Sequence, residues 1–367
     1  MNKEYEMMSK IVFPELSAAP QKGEWYRVTP RGAVISDGTQ FHFEVRPGTE
    51  NNILILLHGG GMSCNEYMAA RPTNLKDYGE VPPGFYFGNM SEIADAMLLS
   101  GITDTPREDN PFRSWTLVGV PYSTGDCHCG TGDFQYTSVK GEEKILYHHG
   151  YTNFMKILET VKTLVPQPNR IVVSGYSAGA FGASLLTDSV MNYFPDCGDV
   201  TCIADSALAI RDNWPEVVEK VWKAPEEIAR RIHSNNIALD VLQALKKDHG
   251  DRVRILYICS IRDNLLAELT GYARTGKRDI LPDTVDRFQE ALAGTCREIQ
   301  ATIPGAGIYL FDQPARDPAE VARCRTTRHT ILHSPDAFSY RMEGKTVVEW
   351  IKNEMNGVHE HVGLNLL

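Results

Sequence analysis

Ser177 lies in Gly175-Tyr176-Ser177-Ala178-Gly179, a G-x-S-x-G pattern whose flanks carry as much information as the pattern. Arg170 to Ser174 ahead of it reads as a buried strand, and Ala178 to Ala183 behind it as a helix opening on small residues. A serine at so tight a strand-to-helix turn presents its hydroxyl above the sheet edge, and flanking glycines let the backbone pack that closely. The first N–H groups of the helix then face developing negative charge, with the dipole behind them. A serine hydroxyl is a weak nucleophile, so the chemistry also needs an imidazole to take its proton. A carboxylate must fix that imidazole's tautomer.

Upstream, the strand candidate Ile53 to Leu57 runs into His58-Gly59-Gly60-Gly61-Met62-Ser63-Cys64. A glycine-rich loop after a core strand, ahead of the elbow, is where α/β-hydrolases place their second oxyanion donor. Gly61 or Met62, together with Ala178, is expected to supply the N–H groups.

In that class the acid and then the base follow the serine along the chain. Two aspartates sit just past core strand candidates: Asp205, after Val200 to Ala204, and Asp263, after Val253 to Cys259. Asp263 holds the commoner position, past the second strand after the nucleophile strand, and Asp205 reads alternatively as a turn or cap residue. Of the 11 histidines, only His329, His333, His359 and His361 follow Asp263. The last two fall in a polar tail. His329 and His333 both lie beyond the strand candidate Gly307 to Phe311, and spacing alone does not separate them.

The elements that must position these groups are strands alternating with helices. The strand candidates Ile53 to Leu57, Trp115 to Val120, Arg170 to Ser174, Val200 to Ala204, Val253 to Cys259 and Gly307 to Phe311 are short apolar runs without alternation. Such runs indicate a mostly parallel sheet buried on both faces. Gly32 to Arg46 breaks at Asp37-Gly38 and predicts a leading antiparallel hairpin. Helices are expected over Tyr147 to Leu164, Ala178 to Tyr193, Asp283 to Gln300 and Thr346 to Met355, and Trp214 to Lys247 reads as a long, charged, helix-rich insertion between two core strands. No repeat or Gly/Ser linker divides the chain. One α/β domain over residues 1–367 is expected, with helical insertions at about 66–112 and 206–250 roofing the site.

The chain has 367 residues, 42% of them apolar and 23% charged, which excludes disordered and fibrous classes. Its formal charge of −10 argues against nucleic acid as a partner, and no apolar run is long enough to span a bilayer. Met1 to Lys10 contains no apolar core of a secretory signal, giving the expectation of a cytoplasmic protein. Cys127-His128-Cys129 offers three potential metal ligands in a row, but neither it nor the Cys197/Cys202 pair has paired CxxC spacing. Buried thiols, or one or two disulfides, are the expectation, with no metal.

Taken together, the motifs resemble the pectin acetylesterase family, which includes the Notum-like carboxylesterases. Gly59 to Cys64 is similar to its G-G-W-x-C loop, and Trp115 to Asp126 to its W-to-P-Y-C-x-G-D segment. Gly175 to Gly179 resembles its G-x-S-A-G elbow, and Cys324 to His329 its Cys-then-His base region. The resemblance runs from about residue 53 to about 332. It implies an α/β-hydrolase-like fold, an acyl-ester substrate, and a triad on Ser177, Asp263 and His329. Two positions depart from it: Met62 replaces the usual aromatic and Ser123 the usual cysteine.

The expected activity is that of a serine carboxylesterase removing acetyl or another short acyl group from a glycan or small-alcohol ester, without cofactor. The alternatives are an amidase or peptidase using the same triad, and an inactive hydrolase fold that only binds a ligand. A polyanionic substrate gains nothing from a chain at −10, so a local basic patch is the expected compensation. Arg325 and Arg328, near Arg323 and Arg262, are its candidates.

Overall fold

Runs of valine, isoleucine and leucine form the centre of one eight-stranded sheet. The computed structural model describes residues 3–77 and 84–367. Met1 and Asn2 of the N-terminal stretch, and residues 78–83 of the first expected insertion, lie outside the described residues. The strands are β1 (Tyr26–Val28), β2 (Phe43–Arg46), β3 (Asn52–Leu57), β4 (Thr116–Val120), β5 (Arg170–Tyr176), β6 (Val200–Asp205), β7 (Val253–Ser260) and β8 (Gly307–Phe311). They lie in the order β1-β2-β4-β3-β5-β6-β7-β8. β1, β2 and β4 pair antiparallel, and β4, β3 and β5 to β8 pair parallel.

Because side chains alternate along a strand, Ile53, Ile55 and Leu57 enter one core layer while Leu54 and Leu56 enter the other. The first layer is covered by α1 (Gly150–Leu164), α2 (Ala178–Tyr193), α3 (Ile237–His249) and, beyond the short α4 (Asn264–Thr275), α5 (Pro282–Thr302). After the short α6 (Pro318–Cys324), α7 (Val347–Met355) covers the second layer with Val347, Val348, Trp350 and Ile351. Helices therefore lie on both faces, as the uninterrupted apolar strands require. No helix among the described residues is long and apolar enough to cross a membrane.

One sequence expectation is borne out and one is corrected. The 214–247 stretch is helix-rich, as expected. It breaks into Trp214–Glu216, a π-helical turn at Val217–Val221, Glu226–Ala229 and α3. Pro225 interrupts it, lacking an N–H, and Asn236 caps α3 through its side chain to Leu239 N. Within 32–46 the Asp37-Gly38 turn is present, bridging Val34 to Gln40, but β2 pairs with β1 and β4 instead of with that turn's other arm.

Both insertions reach the glycine loop. Tyr86 bridges Gly61, and Trp222 Nε1 donates to Ser63 O at 2.7 Å. All eight cysteines are buried free thiols.

Close packing of backbone on backbone is what the glycines of the elbow permit. A Cβ on Gly175 would lie 1.9 Å from Gly179 O, with no flexible side chain to yield. Gly175→Ala is therefore expected to cost about 3 kcal/mol or more, read as a lower urea midpoint at unchanged slope. Gly198→Ala, with open space around it, is expected to stay within about 0.5 kcal/mol of the parent.

Candidate active site

Ser177 stands between β5 and α2 with φ 55° and ψ −127°, a strained conformation for a residue with a Cβ. Its N–H donates to Asp205 O at 2.8 Å, and it is only partly buried. Gly59 presses against it so closely that a Cβ there would sit 2.6 Å from Ser177 Cβ. The glycine loop and the serine turn are thus one packed unit.

Other contacts fix that loop. His128 Nε2 bonds His58 O at 2.9 Å, Ser63 N donates to Gly125 O at 2.7 Å, and the Tyr122 ring occupies the space a Cβ on Gly60 would need. Gly61 has φ +75° and backs onto Phe85 O. Among the described residues, the N–H groups of Gly61 and Ala178 donate to no protein acceptor. The N–H of Met62 does, to Phe85 O at 2.9 Å. Of the two loop donors expected from sequence, Met62 is therefore withdrawn and Gly61 remains, because an N–H already bonded to a carbonyl is not free for an oxyanion.

The segment Pro121 to Asp126 shows its use here. Buried Asp126 accepts from Thr124 Oγ1 at 2.6 Å and from the N–H groups of His128, Gly130 and Gly150 at 3.1, 3.1 and 2.8 Å. It shapes the turn that carries His128 to the glycine loop. Sequence reading missed that role, although an aspartate after glycine in a turn-rich run was the available signal. With His128 Nε2 occupied in this way, Cys127-His128-Cys129 is not among the groups of three or more ligands that converge in the described residues.

Asp263 follows β7, is wholly buried, and caps α4 by accepting from Leu266 N at 2.9 Å. Its other oxygen lies 2.7 Å from His329 Nδ1. The loop bearing His329 is zipped onto the acid's loop: Thr327 N donates to Arg262 O, Asn264 N to Thr327 O, and Arg262 N to Thr327 Oγ1. Burial by itself would lower the His329 pKa. The Asp263 carboxylate, by charge and hydrogen bond, and Asp205 by charge, outweigh it and raise the value above the ordinary 6.5.

Asp205, the other acid candidate, makes no hydrogen bond to the His329 ring. Its Oδ2 accepts from Ile331 N and Leu332 N at 2.8 and 2.9 Å, while its backbone oxygen holds Ser177 N. Burial raises its pKa to about 6 against the opposing pull of those two N–H groups. His333, the rival base, stacks on Tyr176 at 4.6 Å and bonds Thr330 Oγ1. Burial, then repulsion from His329 and nearby arginines, lowers it to about 4. It is a packed, neutral ring.

The arginines separate in the same way. Arg328 is paired with Asp336, whereas Arg325 is exposed and only 3.8 Å from Asp286. Arg262 is a buried strut holding Cys324 O, Arg325 O, Gln289 and Asp286. Of the two substrate-contact candidates, Arg325 is exposed and held only by a long, solvent-facing ion pair to Asp286, whereas Arg328 spends its charge inside the loop.

A parallel sheet in this strand order, with a strained serine after β5, an aspartate after β7 and a histidine after β8, is an α/β-hydrolase-like architecture. Its fold is similar to that of the Wnt deacylase Notum from Drosophila, with a TM-score of 0.61, 14% identity, and 90% of this chain and 93% of that one covered. Residues 26–236, more than half of the chain, match the family model described as pectinacetylesterase, and the chain belongs to that family. It is 25% identical over 186 residues to pectin acetylesterase 11 of Arabidopsis thaliana, covering 49% of this chain and 44% of that protein. Pectin acetylesterase 4 of the same plant is 23% identical over 186 residues, covering 49% and 42%. The chain thus spans less than half the length of these curated relatives. Asp263 and His329 lie beyond the part matched by the family model.

The two histidines of the loop are expected to titrate apart. In an NMR titration, the His329 ring should protonate with a midpoint above 6.5, and His333 should stay neutral down to about pH 4. Asp263→Asn should move the His329 midpoint down, since it removes the largest charge that favours the imidazolium.

Proposed function

We propose that this protein is a serine carboxylesterase whose triad is Ser177, His329 and Asp263, with Gly61 and Ala178 N–H groups as oxyanion donors. The single observation that carries the reading is the Asp263–His329 pair on a loop that Asp205 fastens to the serine's own turn. Family membership supports ester hydrolysis over amide hydrolysis, and acetyl or another short acyl group on a glycan or small alcohol is the proposed substrate. The curated relatives are named as acetylesterases and the structural neighbour as a deacylase.

The mechanism follows from the placement. His329, its Nδ1 held by Asp263, offers Nε2 to take the Ser177 proton as Oγ attacks the ester carbonyl. The oxygen turns negative as the carbonyl becomes tetrahedral, and the two N–H groups stabilise it at about 3 kcal/mol each in comparable enzymes. The imidazolium gives its proton to the departing alcohol, leaving an acyl-serine. Water attacks that ester with His329 again as base, and the carboxylic acid leaves. No metal or organic cofactor takes part.

With p-nitrophenyl acetate, Ser177→Ala is expected to lose at least about 10³-fold in kcat and to resist labelling by a serine-directed phosphonate. His329 must be neutral to accept the proton, so kcat/KM should fall as pH drops through the raised imidazole pKa, the acid limb lying above 6.5. Turnover unchanged in Ser177→Ala would end this reading. A panel of esters of rising acyl length then tests the short-acyl assignment.

A further inference from the structure

At the antiparallel edge of the sheet, separated from β5 by β4 and β3, three potential ligands converge. His42 and Glu44 are two residues apart on β2 and its approach, so their side chains share a face. Asp95, in the short helix Ala94–Met97, lies over that face. One ligand atom from each of the three falls within 4.8 Å of the others.

The surroundings do not use these groups up. Glu44 is wholly buried, and neither of its carboxylate oxygens accepts an N–H or O–H; only a proton placed between the two carboxylates would bond it to Asp95. His42 Nε2 is likewise buried and unpartnered, lying 3.3 Å from Glu44 Oε1 without hydrogen-bond geometry. The other side of the His42 ring is turned to the Ser91 backbone, the kind of outer contact that fixes a metal-binding tautomer. Asp95 Oδ2 is occupied by Phe13 N and Arg27, but Oδ1 has only Arg27 Nε at 3.1 Å. A buried carboxylate with no donor costs several kcal/mol unless something satisfies it.

We propose that His42, Glu44 and Asp95 bind a divalent first-row cation of the zinc type, as a structural site distinct from the esterase chemistry. One imidazole and two carboxylates are a donor set zinc accepts, and 3.3 Å is close to the edge of a tetrahedron with bonds of about 2.0–2.2 Å. Arg27 holds Asp95 from outside, as a partner behind a ligating carboxylate does. Two carboxylates, the cation and Arg27 then leave a local charge near +1. The ion would fasten β2 to the Ala94–Met97 helix and, through Phe13, to the N-terminal segment. The rival occupant is a proton shared between Glu44 and Asp95.

The full chain, stripped with a chelator, is titrated with zinc chloride and followed by elemental analysis and differential scanning calorimetry. One zinc retained per chain and a Tm rise of roughly 3–4 °C at about a hundredfold excess over Kd are expected. Both should vanish in Glu44→Gln and in His42→Gln. No retained zinc overturns the site and leaves the shared proton as occupant; a shift that survives in Glu44→Gln overturns it by placing zinc elsewhere. If the variants do not fold, zinc-edge anomalous diffraction from the loaded parent chain decides. A peak among the three side chains supports the site, and none there overturns it.

Discussion

The carboxylate of Asp205 is the constraint on which the rest of the site depends. It accepts two N–H groups from the loop two and three residues past His329, while the same residue's carbonyl holds the Ser177 N–H. One residue at the end of β6 therefore ties the turn of Ser177 to the loop of His329. Burial raises its pKa from 3.8 to about 6, so its ionised form is disfavoured by roughly 3 kcal/mol relative to the same carboxylate in the unfolded chain. The sign matters: the cost is present above the raised pKa and relieved as pH falls. Burial supplies that cost, and the two N–H bonds offset part of it.

A second constraint is steric. Gly59, Gly175 and Gly179 let three backbone segments cross where any side chain would collide: Gly59 against Ser177, Gly175 against Gly179 O, and Gly179 against Leu57 O. The Tyr122 ring and Phe85 O then close on Gly60 and Gly61 from the other side. Since the Met62 N–H is tied to Phe85 O by the main chain, its side chain is not what shapes the loop.

Much of this was legible in the sequence, and the reasons it was or was not are physical. The six parallel strands were readable because burial on both faces leaves uninterrupted apolar runs; Gly307–Phe311 matches in full, β4 starts one residue later than expected, and the other four extend by one or two residues. The strand-turn-helix around Ser177 was readable because only glycine and alanine fit that crossing. The 214–247 stretch was readable as helix-rich, but its charge and helix-forming residues hide the breaks at Pro225 and Asn236. The choice between His329 and His333 was open to spacing, and the structure separates them by environment: one ring faces a carboxylate, the other lies flat on Tyr176. Met62 was a reasonable donor until Phe85, twenty-three residues away along the chain, arrived to take its N–H. Asp205 was noticed as an alternative acid or a turn residue, and nothing local reveals that its partners lie more than a hundred residues downstream.

Asp263 and His329 lie beyond residues 26–236, the span that matches the family model, and the way their loops are held offers a physical account. Thr327 to Arg262, Asn264 to Thr327, Arg328 to Gln313 and Ala315 to Thr326 are all main-chain bonds. Such bonds fix a loop's course while asking little of its side chains. Only a handful of positions are then chemically constrained: Asp263 and His329 as a pair, Asp205 as their strut, and Thr327, whose hydroxyl meets both Ser260 and the Arg262 N–H. A segment built this way keeps its geometry with very little sequence signature, whereas the glycine loop and the elbow, where side-chain volume itself is forbidden, cannot.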